Sequence, residues 1–455
     1  MIDFDKIAKY SKSGPRYTSY PTAVEFHEGF QETDYIRALQ ASNQTDIPLS
    51  LYVHLPFCKS ACYFCGCNVI YTSSEEKKQG YLPYIKKELE LLARYLDTKR
   101  EVIQLHFGGG TPTFFQAKHL EYVISLLHQA FPNFAPNIEA SCEIDPRFFN
   151  AEQMKVLKEG GFNRVSFGVQ DFNPIVQKAI NRFQSVELVS NAVKIARDAG
   201  IKSINFDLIS GLPYQNQKSF LETLDTVISL DPDRLAIFNY AHMPWIKKTM
   251  QMIPQEALPT PQEKIKILKS SIEFLKENGY ELIGMDHFAK RDDELFLAMQ
   301  NGELRRNFQG YTTRGFSQTI GIGVTSIGEG RDYYVQNQKD LKDYMASLDL
   351  EKLPVHKGIW LSSEDRLRKE VIMEIMNNMR LEYAKFDERF GIDCKSHFAQ
   401  ALEALKEYQE IGLLEMNEDG FWATPTGGML IRNIAMEFDA YLPKITDQNR
   451  FSKTL

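Results

Sequence analysis

The sequence predicts an α/β fold, a partial (βα)6 barrel flanked by an N-terminal extension and a mainly helical C-terminal domain, and three observations carry that reading. Between about residues 48 and 283, six short β-rich runs alternate with longer amphipathic stretches, the pattern of repeated βα units around a parallel sheet. The runs alternate polar and apolar residues, whereas parallel strands buried on both faces are apolar throughout. After about residue 330 the pattern becomes mainly helical. The expected regions are residues 1–45, an extension over the barrel, 46–330, the barrel, and 331–455, the helical domain; 455 residues suffice for about three domains.

In the extension only 33–42 has a helical pattern. The expected strands are LSLYVHL (49–55), EVIQLHF (101–107), NIEASCE (137–143), NRVSFGVQ (163–170), KSINFDL (202–208) and DRLAIFNY (233–240). Helical patterns lie near 80–97, 116–129, 151–159, 185–199, 216–230 and 261–278, several closed by a glycine such as Gly160, Gly200 or Gly279. Six units suit an open barrel better than a closed eight-fold one. Beyond 330, helices are expected near 364–380, 395–411 and 425–442, and GLLEMNEDGFWATPTGGML reads as a small hairpin followed by a helix.

The alternation inside the strands points to function. Leu49, Leu51, Val53 and Leu55 share one face of the first strand, and Ser50, Tyr52 and His54 the other. Asn137, Glu139, Ser141 and Glu143 share a face of the third strand, Arg164, Ser166, Gly168 and Gln170 of the fourth, and Ser203, Asn205 and Asp207 of the fifth. Apolar residues against the helices and polar residues in the lumen account for this, so the lumen is expected to hold a ligand. The carboxyl ends of barrel strands carry active sites, and there stand Glu143, Gln170, Asp207, the cysteine loop after the first strand and Gly108-Gly109-Gly110-Thr111 after the second.

Composition narrows the classes. The 53 basic and 60 acidic side chains leave a net charge of -7, which argues against a general nucleic-acid-binding surface; an anionic ligand must be met locally. The sequence has no run of 18 uncharged apolar residues and no apolar secretory stretch at its amino terminus, so a cytoplasmic protein without a membrane span is expected. Four of the six cysteines, Cys58, Cys62, Cys65 and Cys67, fall within ten residues, which favours metal binding over a disulfide framework. Cys142 is assigned to the core, and Cys394 carries no signal.

Cys58-x-x-x-Cys62-x-x-Cys65 can bind zinc or an iron–sulfur cluster, both of which prefer tetrahedral sulfur. Zinc needs a fourth ligand, which Cys67 or His54 could supply. A cluster held by three cysteines keeps one iron open, and the nearby glycines let backbone approach a bulky ligand.

This triad after the first strand, with GGGTPT after the second, resembles the radical S-adenosylmethionine superfamily. The resemblance implies that three cysteines hold a 4Fe-4S cluster whose fourth iron is chelated by S-adenosylmethionine, cleaved by one electron to a 5'-deoxyadenosyl radical. RYTSYPT (16–22), YVHLPFCKSACYFCGCN (52–68), SFGVQDFN (166–173), NFDLISGLP (205–213), GMDHFA (284–289), NFQGYTT (307–313) and IRNIAMEFDAYL near the carboxyl end are similar to the family of oxygen-independent coproporphyrinogen III oxidases.

That similarity implies that Cys58, Cys62 and Cys65 ligate the cluster, and that Tyr52, Gly109, Glu143 and Ile327 surround the S-adenosylmethionine on iron. Phe64, Gly110, Thr111, Gln170, Arg182, Asp207 and Ala241 match positions around a second S-adenosylmethionine. Cys67 matches a family cysteine that does not ligate the cluster, and with Tyr52 it is a candidate catalytic residue. The implied reaction turns two propionates of coproporphyrinogen III into vinyl groups with loss of two carbon dioxide molecules. The implied partners are an electron donor of flavodoxin or ferredoxin type and an unidentified terminal electron acceptor, and a monomer is expected. Arg16 and Arg314 are candidates for the substrate carboxylates. Two alternatives stand beside this reading: a haem-binding or haem-delivering relative, and a zinc-stabilised interaction module.

Overall fold

The computed structural model describes residues 2–442. All six expected strands are present, β1 (Leu49–Leu55), β2 (Val102–Gly109), β3 (Phe134–Ile144), β4 (Arg164–Gln170), β5 (Ser203–Ser210) and β6 (Arg234–Asn239). They pair in parallel, in that order. Leu49, Leu51, Val53 and Leu55 are wholly buried, as are Phe167 and Val169 of β4 and Ile204, Phe206 and Leu208 of β5. Each such side chain contributes about 1.5–3 kcal/mol. Register is therefore tightly specified: a one-residue slip would turn the apolar face inward and put Ser50, Ser166 and Asn205 against the helices.

Local chemistry sets the helices between the strands. Asn150 and Gln153 cap Ala151–Glu159 reciprocally, and Asn216 and Ser219 do the same for Gln217–Ser229. Gly200 (φ 78°) and Gly279 (φ 86°) follow their helices in the left-handed region that favours glycine. After Glu159 it is Gly161 (φ 90°), not the expected Gly160 (φ -77°), that takes this conformation.

The sheet extends beyond these units at both ends. Next to β6 lie β7 (Tyr280–Gly284) and β8 (His287–Lys290), antiparallel and in the order β6-β8-β7. A separate hairpin, β9 (Arg305–Asn307) and β10 (Gly310–Thr312), follows. Next to β1 lies β11 (Gln318–Ile322), parallel to it, then β12 (Ile327–Glu329), β13 (Tyr333–Asn337) and β14 (Val355–Trp360), antiparallel. The order β14-β13-β12-β11-β1-β2-β3-β4-β5-β6-β8-β7 leaves the barrel open. The expected boundary near 330 therefore falls inside the sheet, and the helical region starts at Ser363. Tyr333–Asn337 is buried at every position, so it lacks the alternation that marks a half-polar strand.

The helical region contains Ser363–Asn378, then Cys394–His397 and Ala399–Glu410, which break the expected 395–411 helix at Phe398. The expected hairpin is Leu414–Met416 and Gly420–Ala423, joined by Arg380–Glu382 into three strands. The 425–442 stretch forms two short helices, Pro425–Met429 and Ile431–Met436. Residues 443–455 of the expected domain lie outside the described residues.

The extension has two helices rather than one. Glu32–Ser42 matches the expected pattern and packs Tyr35, Ala38 and Leu39 on the barrel core. Phe4–Tyr10, capped by Asp3, is too short for a helical period to show. Ile7, Tyr17 and Tyr20 join the core of the C-terminal region, where Tyr17 Oη donates to Asp439 (2.8 Å) and Arg432 Nε to the Pro15 carbonyl (2.8 Å). The tail is thus tied to the far end of the chain and carries Arg16 and Thr18 to the cavity described next.

Candidate active site

The polar strand faces enclose a cavity of about 540 Å³, ordinary for a small-molecule site. Ser50, Gln104, His106, Glu139, Ser141, Glu143, Arg164, Ser166, Gly168, Gln170, Ser203, Asn205 and Asp207 form its walls. Asn137 does not; it is exposed, toward the amino end of β3. Cys58, Cys62, Cys65 and Cys67 line the same cavity from the loop after β1, and Gly109, Gly110 and Thr111 from the turn after β2.

The cysteines sit in unequal surroundings. Burial pushes the Cys58 thiol up to about 12, against a contact with Thr111 Oγ1 (3.4 Å), so this sulfur would ionise only where a cation offsets its desolvation. The Cys67 side chain hydrogen-bonds Cys65 and brings that thiol down to about 7. Cys67 itself is held well above its usual range, first by the same bond. Its carbonyl accepts from Lys247 Nζ (2.9 Å). Two guanidinium groups face Cys62, Arg147 Nη2 at 3.8 Å and Arg182 Nη1 at 3.6 Å. Both arginines bond Asp145 Oδ2, at 2.7 and 2.9 Å. Positive charge beside Cys62 and a thiol donor beside Cys65 suit sulfurs that bind metal as anions, so the donor set fits a thiolate-ligated cluster. Among the described residues no three His, Cys, Asp or Glu side chains form a ready site for a single metal ion.

Glu143, at the end of β3, faces the cavity with its side chain 45% exposed. Its Oε2 accepts from Gly109 N–H (3.2 Å), and its Oε1 lies 3.2 Å from His106 Nε2. Burial raises its pKa, but His106 and the Gly109 N–H outweigh that and hold the carboxyl below its usual range. The glycines also serve the protein's own packing. A Cβ on Gly109 (φ 117°) would stand 2.8 Å from the His54 ring, and one on Gly110 2.6 Å from the Pro56 backbone.

Other predicted residues divide between the cavity and its supports. Gln170 ends β4 at φ 66° and lines the cavity. Asp207 accepts from Ser166 Oγ and Asn205 Nδ2, both at 2.8 Å, and burial raises it to about 6. Arg182 is 6% exposed, with its Nε unpartnered. Phe64 lines the cavity and packs on a small cluster around Val176, Ile180 and Tyr240.

Tyr52, Ala241 and Ile327 are not among the cavity walls. Tyr52 Oη bonds His54 Nδ1 (2.9 Å), and its ring stacks on His106 with centroids 5.8 Å apart. Burial lowers His54 to about 4, and its Nε2 meets the Asn68 carbonyl (3.1 Å). A neutral ring that donates from Nε2 must accept at Nδ1, so Tyr52 donates there and positions His54. Ala241 lies two residues past β6, and Ile327 packs against the cluster of Phe26, Tyr334, Ile359 and Leu361. Arg16 lines the cavity, whereas Arg314 does not and donates to the Asn137 carbonyl (2.8 Å).

Sequence reasoning missed Asp145, Arg147, His106 and Arg306. Asp145 and His106 had a signal, since each lies within two residues of a glycine or carboxylate already singled out.

A sulfur-rich loop on the carboxyl rim of an open βα barrel with a polar lumen defines a class, and residues 52–227 match the radical SAM superfamily model. Residues 361–430 match the HemN C-terminal domain. Two similar relatives are named oxygen-independent coproporphyrinogen III oxidase. That of Helicobacter pylori is 60% identical over 100% of this chain and 99% of its own, and that of Escherichia coli 44% identical over the same shares. The solved structure of the Escherichia coli coproporphyrinogen III oxidase, described as a radical SAM enzyme, superposes with a TM-score of 0.92, at 42% identity over 97% of this chain and 99% of that one. The chain is a radical SAM enzyme. It belongs to the family of oxygen-independent coproporphyrinogen III oxidases.

Proposed function

We infer that this chain catalyses the oxidative decarboxylation of two propionates of coproporphyrinogen III to vinyl groups, giving protoporphyrinogen IX. The observation that supports this best is one cavity walled by the cysteine loop on the rim and by the polar faces of five strands below. In this reading Cys58, Cys62 and Cys65 hold a 4Fe-4S cluster, and Cys67 stays a thiol that donates to Cys65. When bound, the cluster and S-adenosylmethionine supply a carbon-centred radical able to take hydrogen from a propionate carbon too weakly acidic for a protein base.

The chain's own part is binding, orientation and exclusion of water. Glu143 would accept a hydrogen bond from the cofactor, and His106 holds that carboxylate in place through Oε1. Gly109 would border the S-adenosylmethionine on iron, Gly110 and Thr111 of the same turn would border the second one, and Tyr52 keeps His54 and His106 fixed behind. Phe64, Gln170, Arg182 and Asp207 form the wall that would receive a second S-adenosylmethionine. Ala241 and Ile327 contribute from the flanks, outside the wall. The tail, packed on the helical region, brings Arg16 and Thr18 to the cavity. A cytoplasmic location and a one-electron donor of flavodoxin or ferredoxin type complete the reading.

Protein reconstituted without oxygen, given a reductant, S-adenosylmethionine, coproporphyrinogen III and an electron acceptor, should yield protoporphyrinogen IX, detected by chromatography of the oxidised porphyrins. Cleavage of the cofactor with both propionates surviving under every acceptor tried would instead favour a haem-binding relative.

A further inference from the structure

At the cavity mouth two guanidinium groups, those of Arg16 and Arg306, line the wall near one carboxylate, Asp286. Arg16 Nη1, from the tail, lies 3.3 Å from Asp286 Oδ2, and Asp286 Oδ1 lies 2.7 Å from His287 Nδ1. Arg306, from β9, donates to the Arg16 carbonyl (2.5 Å) and lies over the Tyr311 ring, and no salt bridge joins it to a carboxylate among the described residues. Its Nε is buried without a hydrogen-bond partner. Arg432 stands behind them, on the Pro15 carbonyl.

Elsewhere in the cavity the arginines are matched. Arg147 and Arg182 share Asp145, Arg164 meets Glu139 and Glu294, and Arg234 meets Asp293 and Glu294. At the mouth Arg16 and Arg306 face the single carboxylate of Asp286, an excess of positive charge. Burial, and then the charges of Arg16 and Arg306, pull the Arg432 guanidinium down to about 9. Arg306 brings a guanidinium whose Nε is buried without a hydrogen-bond partner, and such a group is costly unless an anion completes it.

We propose that Arg16 and Arg306 form a carboxylate subsite that holds a propionate of the tetrapyrrole which the reaction leaves intact. The assignment rests on coproporphyrinogen III being the substrate. Its four carboxylates are the anions that the excess charge at the mouth would match, and Arg presents a planar fork matched to carboxylate. A retained propionate is favoured because a reacting one leaves as neutral carbon dioxide. A clamp on the departing carboxylate would stabilise the ground state over the transition state and slow the step. The same clamp ties the subsite to the tail, since Arg16 sits on the tail and Arg306 holds that tail through its backbone.

The test is fluorescence titration of the cluster-loaded protein with coproporphyrin III and with protoporphyrin IX, which keeps two propionates, for wild type and for Arg306→Gln, Arg306→Lys and Arg16→Gln. Arg306→Gln should weaken both porphyrins by about ten- to hundredfold, the loss of one charge-assisted contact, with KM rising more than kcat falls. Arg306→Lys should recover part of the affinity, and the milder Arg16→Gln, on a half-exposed tail, covers the case in which Arg306→Gln does not fold. Wild-type affinity in both glutamine variants, or a loss confined to coproporphyrin III, would overturn the subsite. If wild type neither binds nor turns over the tetrapyrrole, the functional reading fails instead, before any variant is compared.

Discussion

Two glutamates occupy regions of the same barrel with opposite purposes. Glu88 lies behind β1, 1% exposed, and accepts from Tyr344 Oη (2.6 Å), Gly323 N–H (2.7 Å) and Asn337 Nδ2 (2.6 Å). Burial outweighs these donors and raises it to about 7. Glu143, in the cavity, has fewer donors, yet its carboxyl is held below the usual range because His106 stands beside it. The number of hydrogen bonds does not decide the ionisation of a buried carboxylate; whether a nearby group can carry positive charge does. The first region joins the helix Leu82–Leu92, the turn after β11, the end of β13 and the helix Leu341–Asp349 into one knot, and the second leaves a carboxylate facing open space, ready for a ligand.

The largest effect expected is at the cavity's sulfur wall. Cys62→Ser should lose cluster and turnover together, read by the visible absorbance of reconstituted protein and by cofactor cleavage; a fully active variant would contradict the ligand assignment. Next comes Glu143→Gln. It keeps the shape but removes the charge facing the cofactor, so affinity for S-adenosylmethionine should fall by about ten- to hundredfold, measured by equilibrium binding. Glu143 also stabilises the fold above its unfolded pKa, near 4.5, and that contribution is lost as pH falls through its lower folded value. The variant should therefore lose stability less steeply in acid.

Glu88 tilts the other way. Its folded pKa is raised, so the folded state holds the proton more tightly, and stability falls as pH rises from 4.5 to about 7, by an amount on the order of 3 kcal/mol. Glu88→Gln cannot ionise. It should cost about 1–3 kcal/mol at pH 5, where an amide hydrogen replaces an acceptor, and should approach wild type by pH 8. Turnover per folded molecule should not change. Denaturant unfolding at both pH values checks this, and parallel curves would show that Glu88 does not titrate in this range.

Much of this contrast between regions could be read from the residues in order, and some could not. The inward polar face was legible because a strand's period of two is local: Ser166, Gly168 and Gln170 announce it within five residues. The cysteine loop and Glu143 were legible because each follows directly on such a strand. The strand Tyr333–Asn337, paired on both sides, was not, since burial on both faces erases the alternation. Nor was the helix Phe4–Tyr10, which is barely two turns long. The charge pairings are long-range products of topology. Arg16 meets Asp286 across 270 residues and Arg182 meets Asp145 across 37, and no local pattern links them. The same limit explains why Tyr52 was read as a lumen group: its side of β1 was correctly assigned, but its hydroxyl is spent on His54.

The smallest effect expected sets the two candidate substrate arginines against each other. Arg16 and Arg314 rest on equal grounds in the sequence, each beside a family motif, but the fold separates them. Arg314 lies outside the cavity walls, and its Nη2 donates to the backbone carbonyl of Asn137 at the exposed start of β3. Its removal deletes a hydrogen bond worth about 0.5–1.5 kcal/mol to stability and nothing from the ligand's surroundings. Arg314→Ala should therefore change KM for coproporphyrinogen III by less than about twofold while lowering the unfolding midpoint slightly. A tenfold rise in KM would mean that the mouth extends past β10 to the edge of β3, and that the positive charge there is shared more widely than Arg16 and Arg306.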